Sequence, residues 1–96
     1  MTQYLLLIQR NTKTSPSAGE WDQFFTAAQQ SGFFKGGSAL GERWVVGDPE
    51  SAERTDHIVG FMRFDSADKR ALLDLLRKHP VVIHGGAVEL CEMPKS

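Results

Sequence analysis

Tyr4-Leu5-Leu6-Leu7-Ile8 is an unbroken apolar run closed by the turn-rich Asn11-Thr12-Lys13-Thr14-Ser15-Pro16. A run this short between polar residues predicts a strand over residues 3–10, buried on both faces. The period then changes. Trp21, Phe24, Phe25 and Ala28 stand at i, i+3, i+4 and i+7, the stripe of an amphipathic helix. Ser17 and Glu20 have capping-box spacing and Gly32 suits a left-handed C-terminal residue, which sets this helix at 18–31. Phe33 to Leu40 reads as a second strand, with Gly36-Gly37 marking a bulge or a close backbone approach. Arg43-Trp44-Val45-Val46 extends that strand or forms a small hairpin arm, and residues 50–56 read as a solvated loop. HIVGFMRF at 57–64 is the clearest strand. Its alternation places Ile58, Gly60, Met62 and Phe64 on one face and His57, Val59, Phe61 and Arg63 on the other. Asp65-Ser66 offers an N-cap for a second helix at 66–78, which Pro80 terminates. Gly85-Gly86 turns the chain into a last strand at 87–93.

The order β-α-β-β-α-β folds, with right-handed crossovers, into a four-stranded antiparallel sheet carrying both helices on one face, an α+β ferredoxin-like arrangement. Strands one and three are central in that topology, and both are apolar on both faces. Two helices cover one face only. Leaving the other open forgoes about 25 cal/mol per Å² of apolar area, so a second copy is expected to cover it. The expected assembly is a homodimer packed sheet on sheet, a dimeric α/β-barrel.

Composition narrows the function. Ninety-six residues make a single domain spanning 1–96. Eleven basic against twelve acidic side chains give a net charge of −1, which argues against nucleic acid as a partner. The apolar start is too short for a signal-peptide core or a membrane span. Cys91 stands alone, with no internal disulfide and no zinc-finger spacing, so a reducing, cytoplasmic setting is expected, with no metal and no cofactor.

TQYLLLIQR at the start, FFKGGSAL after the aromatic helix and IVGFMRFDSADKRALLDLLRKHPVVIHGGAVELCEM at the end together resemble the YCII-related family of small dimeric α/β-barrel proteins. The resemblance implies the barrel dimer and, for function, small-molecule chemistry that uses a His/Asp pair. Many relatives carry a histidine in helix one, where this chain has only Trp21 and Asp22. The Asp-Gly-Pro-Phe segment of a related branch is absent as well. Gly36, Gly37, Gly85, Gly86 and Glu89 match by residue type.

Candidate chemistry follows from the face assigned to the dimer interior. His57, beside Asp56, is the first choice for a general acid or base, because imidazole titrates near neutral pH and a carboxylate can orient it. Side chains of adjacent residues diverge, so a strand-edge polar role stands beside the catalytic one. Arg63 suits a ligand carboxylate, or else pairs with Glu89 or Glu92, and Glu89 is itself a candidate ligand-binding residue where its side chain points into the dimer interior toward Arg63. Trp44 stacks on a planar ligand or joins the interface. His79 is expected to cap the C-terminus of helix two as a cation, and His84 to be exposed. No Ser-His-Asp or Cys-His spacing stands out. The readings left open are a small-molecule-binding dimer, with or without an enzymatic step on an organic acid or aromatic metabolite, a non-catalytic ligand sensor, and an interaction module.

Overall fold

The structure, a computed structural model, describes residues 1–95. Strand β1 (Thr2–Gln9) leads through a polar loop into helix α1 (Ala18–Ser31), and strand β2 (Phe34–Ala39) follows. Strand β3 (Ile58–Ser66), helix α2 (Lys69–Leu76), the one-turn helix α3 (Pro80–Ile83) and strand β4 (Val88–Met93) complete the chain. The four strands form one antiparallel sheet in the order β2-β3-β1-β4. The two most apolar strands are thus its centre. No helix among the described residues is long and apolar enough to cross a membrane.

Alternation along β1 and β3 builds the core. Tyr4, Leu6 and Ile8 pair with Phe64, Met62 and Gly60, and this face packs against Phe24 and Ala28 of α1, Leu72, Leu75 and Leu76 of α2, and Val81 of α3. All helices therefore lie on one side. On the other side Leu5 pairs with Arg63 and Cys91, and Leu7 pairs with Phe61 and Glu89. No helix lies over this second face, and Leu5, Leu7 and Phe61 remain partly exposed. The expected faces of Ile58 and Val59 are corrected: at the register shift beside Gln9, Val59 packs on the core side and Ile58 lies with Leu7 on the open side.

Helix α1 begins and ends as its sequence predicts. The Ser17 hydroxyl accepts the Glu20 N–H at 3.1 Å, and Glu20 Oε1 accepts the Ser17 N–H at 2.9 Å, the reciprocal capping box. Gly32 closes the helix at φ 77°. The bulge in β2 also appears, with the register slipping between Phe34 and Gly36.

Helix two is shorter than expected and starts later. Ser66 is the last core-facing residue of β3, and its hydroxyl accepts the Asp68 N–H at 2.9 Å. That bond carries the chain past the strand end, and Asp68 rather than Asp65 or Ser66 becomes the N-cap, accepting the Ala71 N–H at 3.1 Å. Pro80 stops α2 and at the same time starts the unforeseen α3, because proline fits the first helical position as well as it breaks an interior one. His79 belongs to this second helix. Its Nδ1 accepts the Val81 N–H at 3.2 Å as N-cap of α3, so its expected role as a cationic C-terminal cap is corrected. Arg43 to Val46 neither lengthen β2 nor pair as a hairpin. Residues 40–57 run as irregular chain, closed at the base by the Arg43 guanidinium, which donates to the carbonyls of Thr55 and Ile58.

Candidate functional site

The chemistry expected at the start of β3 is dispersed. Asp56 and His57 lie in the turn that precedes the strand, so the in-out alternation of β3 does not reach them. The Asp56 carboxylate faces Arg54 at 3.4 Å and Arg10 at 3.8 Å. Its own backbone N–H, then the Arg54 charge, hold its carboxyl below the usual range. No hydrogen bond among the described residues joins Asp56 to His57, whose side chain is exposed.

Arg63 and Glu89 do share the open sheet face. They flank β1 on opposite sides, Arg63 opposite Leu5 and Glu89 opposite Leu7, which separates them by about 12 Å, two strand spacings across and two residues along. Arg63 makes no ion pair with Glu89 or Glu92, nor with any other described residue. Trp44 is 78% exposed, and with Val45 and Val46 it forms an apolar tip on the 40–57 segment. At the base of that segment a groove of about 420 Å³ is lined by Leu7, Leu40, Arg43, Thr55 and Ile58. The loop and the open face are therefore continuous.

A second space lies on the helix side, where α1 leaves the β2 edge uncovered. This cavity of about 350 Å³ is lined by Trp21, Phe25, Phe34, Ile8 and Met62, with Gly37 and Gly60 in its floor. Its side chains are almost wholly apolar, and its size falls in the range of small-molecule pockets.

The sequence did not foresee the third arrangement. His84, expected to be exposed, has only 20% of its side chain accessible. Its Nε2 lies 2.6 Å from Glu20 Oε2, and its Nδ1 lies 2.6 Å from the Thr14 hydroxyl. The carboxylate can only accept, so Nε2 carries a proton, and in the neutral ring the Thr14 hydroxyl donates to Nδ1. Ser17's backbone N–H first, and His84 second, pull the Glu20 carboxyl below its ordinary value. The contacts join residues 64 and 70 positions apart in sequence, so no spacing signal exists for them. Only the capping box, which fixes Glu20, was a clue.

His79 is the other missed residue. It is fully buried, with its ring edge-on to Trp21 at 5.0 Å and Phe24 at 4.7 Å. Burial pushes its pKa down to about 4, so it is neutral, contrary to the cation expected. Compared with known proteins, the chain matches no family model, no curated protein and no solved structure.

Proposed function

We propose that the protein is a homodimeric small-molecule-binding protein of the cytoplasm, in which two ferredoxin-like subunits pack their open sheet faces into a dimeric α/β-barrel of the YCII-related kind. The observation that carries this reading is the uncovered face of β1 and β3, where Leu5, Leu7 and Phe61 lie around an Arg63 with no ion-pair partner among the described residues. The strand order, with β1 and β3 central and every helix on the opposite side, supports the topology.

Area supports a role for the loop in the same interface. Four strands of about six residues give a face of about 20 by 20 Å, or about 400 Å² per copy. A stable dimer commonly uses about 800 Å² per partner. Leu40 and the apolar tip Trp44-Val45-Val46, exposed by 41%, 78%, 62% and 96%, supply area of the kind still needed. An arginine enclosed between two such sheets would hold a ligand carboxylate, with Leu7, Phe61 and the adjoining groove against the apolar part. The reading assigns no catalytic step to Asp56 and His57, because Arg54 and Arg10 occupy the carboxylate. The apolar cavity beneath α1 favours an aromatic group as a second kind of ligand.

Sedimentation velocity at micromolar concentration tests the assembly: a dimer is expected, and Leu7→Glu is expected to give a folded monomer. Calorimetric titration with benzoate tests the ligand class, with binding lost in Arg63→Ala. A monomeric native chain would refute the assembly, and benzoate binding unaffected by Arg63→Ala would refute the site.

A further inference from the structure

Beyond ligand binding, we propose that Thr14, His84 and Glu20 form an acyl-transfer site, with the Thr14 hydroxyl as nucleophile, His84 as general base and Glu20 as positioning residue. The geometry is a hydroxyl–imidazole–carboxylate chain with both links at 2.6 Å. The acceptor-only carboxylate fixes the proton on Nε2, and in the neutral ring, the form a general base needs, the Nδ1 lone pair faces the threonine proton. This is the arrangement that activates a weak hydroxyl nucleophile.

Three elements converge to build it. Thr14 comes from the loop between β1 and α1, Glu20 from the first turn of α1, and His84 from the end of α3. Glu20 is held from its other oxygen by the Ser17 N–H, so the carboxylate cannot swing away. A purely structural clasp would be redundant here. The N–H groups of Lys13 and Thr14 already bond the His84 carbonyl at 2.9 and 3.4 Å, and Asn11 Oδ1 accepts the Ala87 N–H at 2.9 Å, so the loop and turn are tied without the three side chains. Thr14 itself is exposed and open to a substrate. Glu20 also borders a cleft of about 360 Å³ lined by Phe24, Ala27, Ile83 and Lys78. That lining suits a small carboxylic ester with an apolar body and an anionic substituent.

The step balances without a cofactor. The Thr14 oxygen bonds to the ester carbonyl carbon while its proton passes to His84 Nδ1. The ester C–O bond breaks as the carbonyl reforms, and the leaving alcohol oxygen takes that proton. Water then attacks the acyl-threonine, again giving a proton to Nδ1, and the carboxylic acid departs as Thr14 recovers its hydrogen.

The test is acylation by para-nitrophenyl acetate, with the adduct mapped by peptide mass spectrometry and the rate read from nitrophenolate release. The native chain is expected to carry acetyl on Thr14, and His84→Gln to slow its formation by about 100-fold or more. Glu20→Gln is expected to lower the maximal rate while leaving the half-saturating ester concentration unchanged. No acetyl on Thr14, or an equal rate in folded His84→Gln, overturns the proposal. If His84→Gln does not fold, Thr14→Ser decides. Its less hindered hydroxyl under the same imidazole should react faster at that position, and no increase overturns the proposal.

Discussion

The imidazole of His79 stands edge-on to the indole of Trp21, with ring centroids 5.0 Å apart and planes at 86°. With Phe24 on another side, Nδ1 bound to the Val81 N–H, and Nε2 without a partner among the described residues, a charge on this ring would have nothing to solvate it. The pKa is accordingly depressed from 6.5 to about 4. The native state then binds fewer protons than the unfolded chain between those values, so stability is complete above about pH 6.5 and falls as pH drops toward 4. The difference corresponds to about 3 kcal/mol across the window. Urea unfolding at a series of pH values from 7.5 to 4.5 should show this slope. His79→Asn retains a side-chain acceptor for Val81, and it should flatten the slope even though it loses packing at every pH.

Ser17→Ala isolates the capping box. It removes the acceptor for the Glu20 N–H but leaves the Ser17 N–H to Glu20 bond and the Glu20 to His84 contact in place. The expected cost is about 1 kcal/mol, seen as a lower denaturation midpoint with an unchanged dependence on denaturant. A loss of several kcal/mol would mean that Ser17 also supports the His84 network.

Arg43 closes the base of the 40–57 segment through the Thr55 and Ile58 carbonyls. Arg43→Ala should free the segment with little effect on the sheet. Because this charged donor is exposed, its hydrogen bonds are worth together only roughly 1.5 kcal/mol, so the open population should rise about tenfold. Tryptic cleavage after Arg54, whose side chain is 88% exposed, reports it, because cleavage from a rapidly opening segment follows that population. Equal cleavage rates in the native chain and the variant would show that the clamp is not what holds the loop.

These tests also mark where the sequence was informative. The core face of β1 and β3, the capping box at Ser17 and Glu20 and the Gly32 terminus are local patterns. Each depends on residues within one element, so period and spacing reveal them. Pro80 shows the limit of such reading: one residue both ends α2 and begins α3, and the stop signal alone was recognised. Ser66 shifted a helix start because its hydroxyl found the Asp68 backbone, a choice that burial of the strand end decides. The His84 contacts with Glu20 and Thr14 depend on how α3 and β4 return to the first loop, and the burial of His79 depends on α1 closing over α3. No local pattern encodes either. At Asp56 and His57 sequence adjacency sets no direct pair, and the Asp56 carboxylate faces Arg54 and Arg10, two partners that adjacency does not reveal.

The floor of the helix-side cavity offers a rank-order test of how the two sheet glycines differ. A Cβ on Gly37 would press into the Phe61 carbonyl oxygen and sit 2.9 Å from Met62 Cα. Both are backbone atoms of the central strand and cannot rotate away. On Gly60 the added carbon would meet the Ser38 carbonyl oxygen at 3.1 Å and Ile8 Cδ1 at 3.4 Å. The first belongs to an edge strand and the second is a side-chain end facing open cavity, so both can yield. Neither position has the positive φ that would add backbone strain. Gly37→Ala should therefore cost about 2 to 3 kcal/mol as overpacking against fixed backbone. Gly60→Ala should cost about 1 kcal/mol or less, since the reduced freedom of the unfolded chain offsets part of the crowding. Thermal unfolding of the two variants decides the order, and a larger loss at Gly60 would mean that the β2 edge is the more rigid side of this cavity.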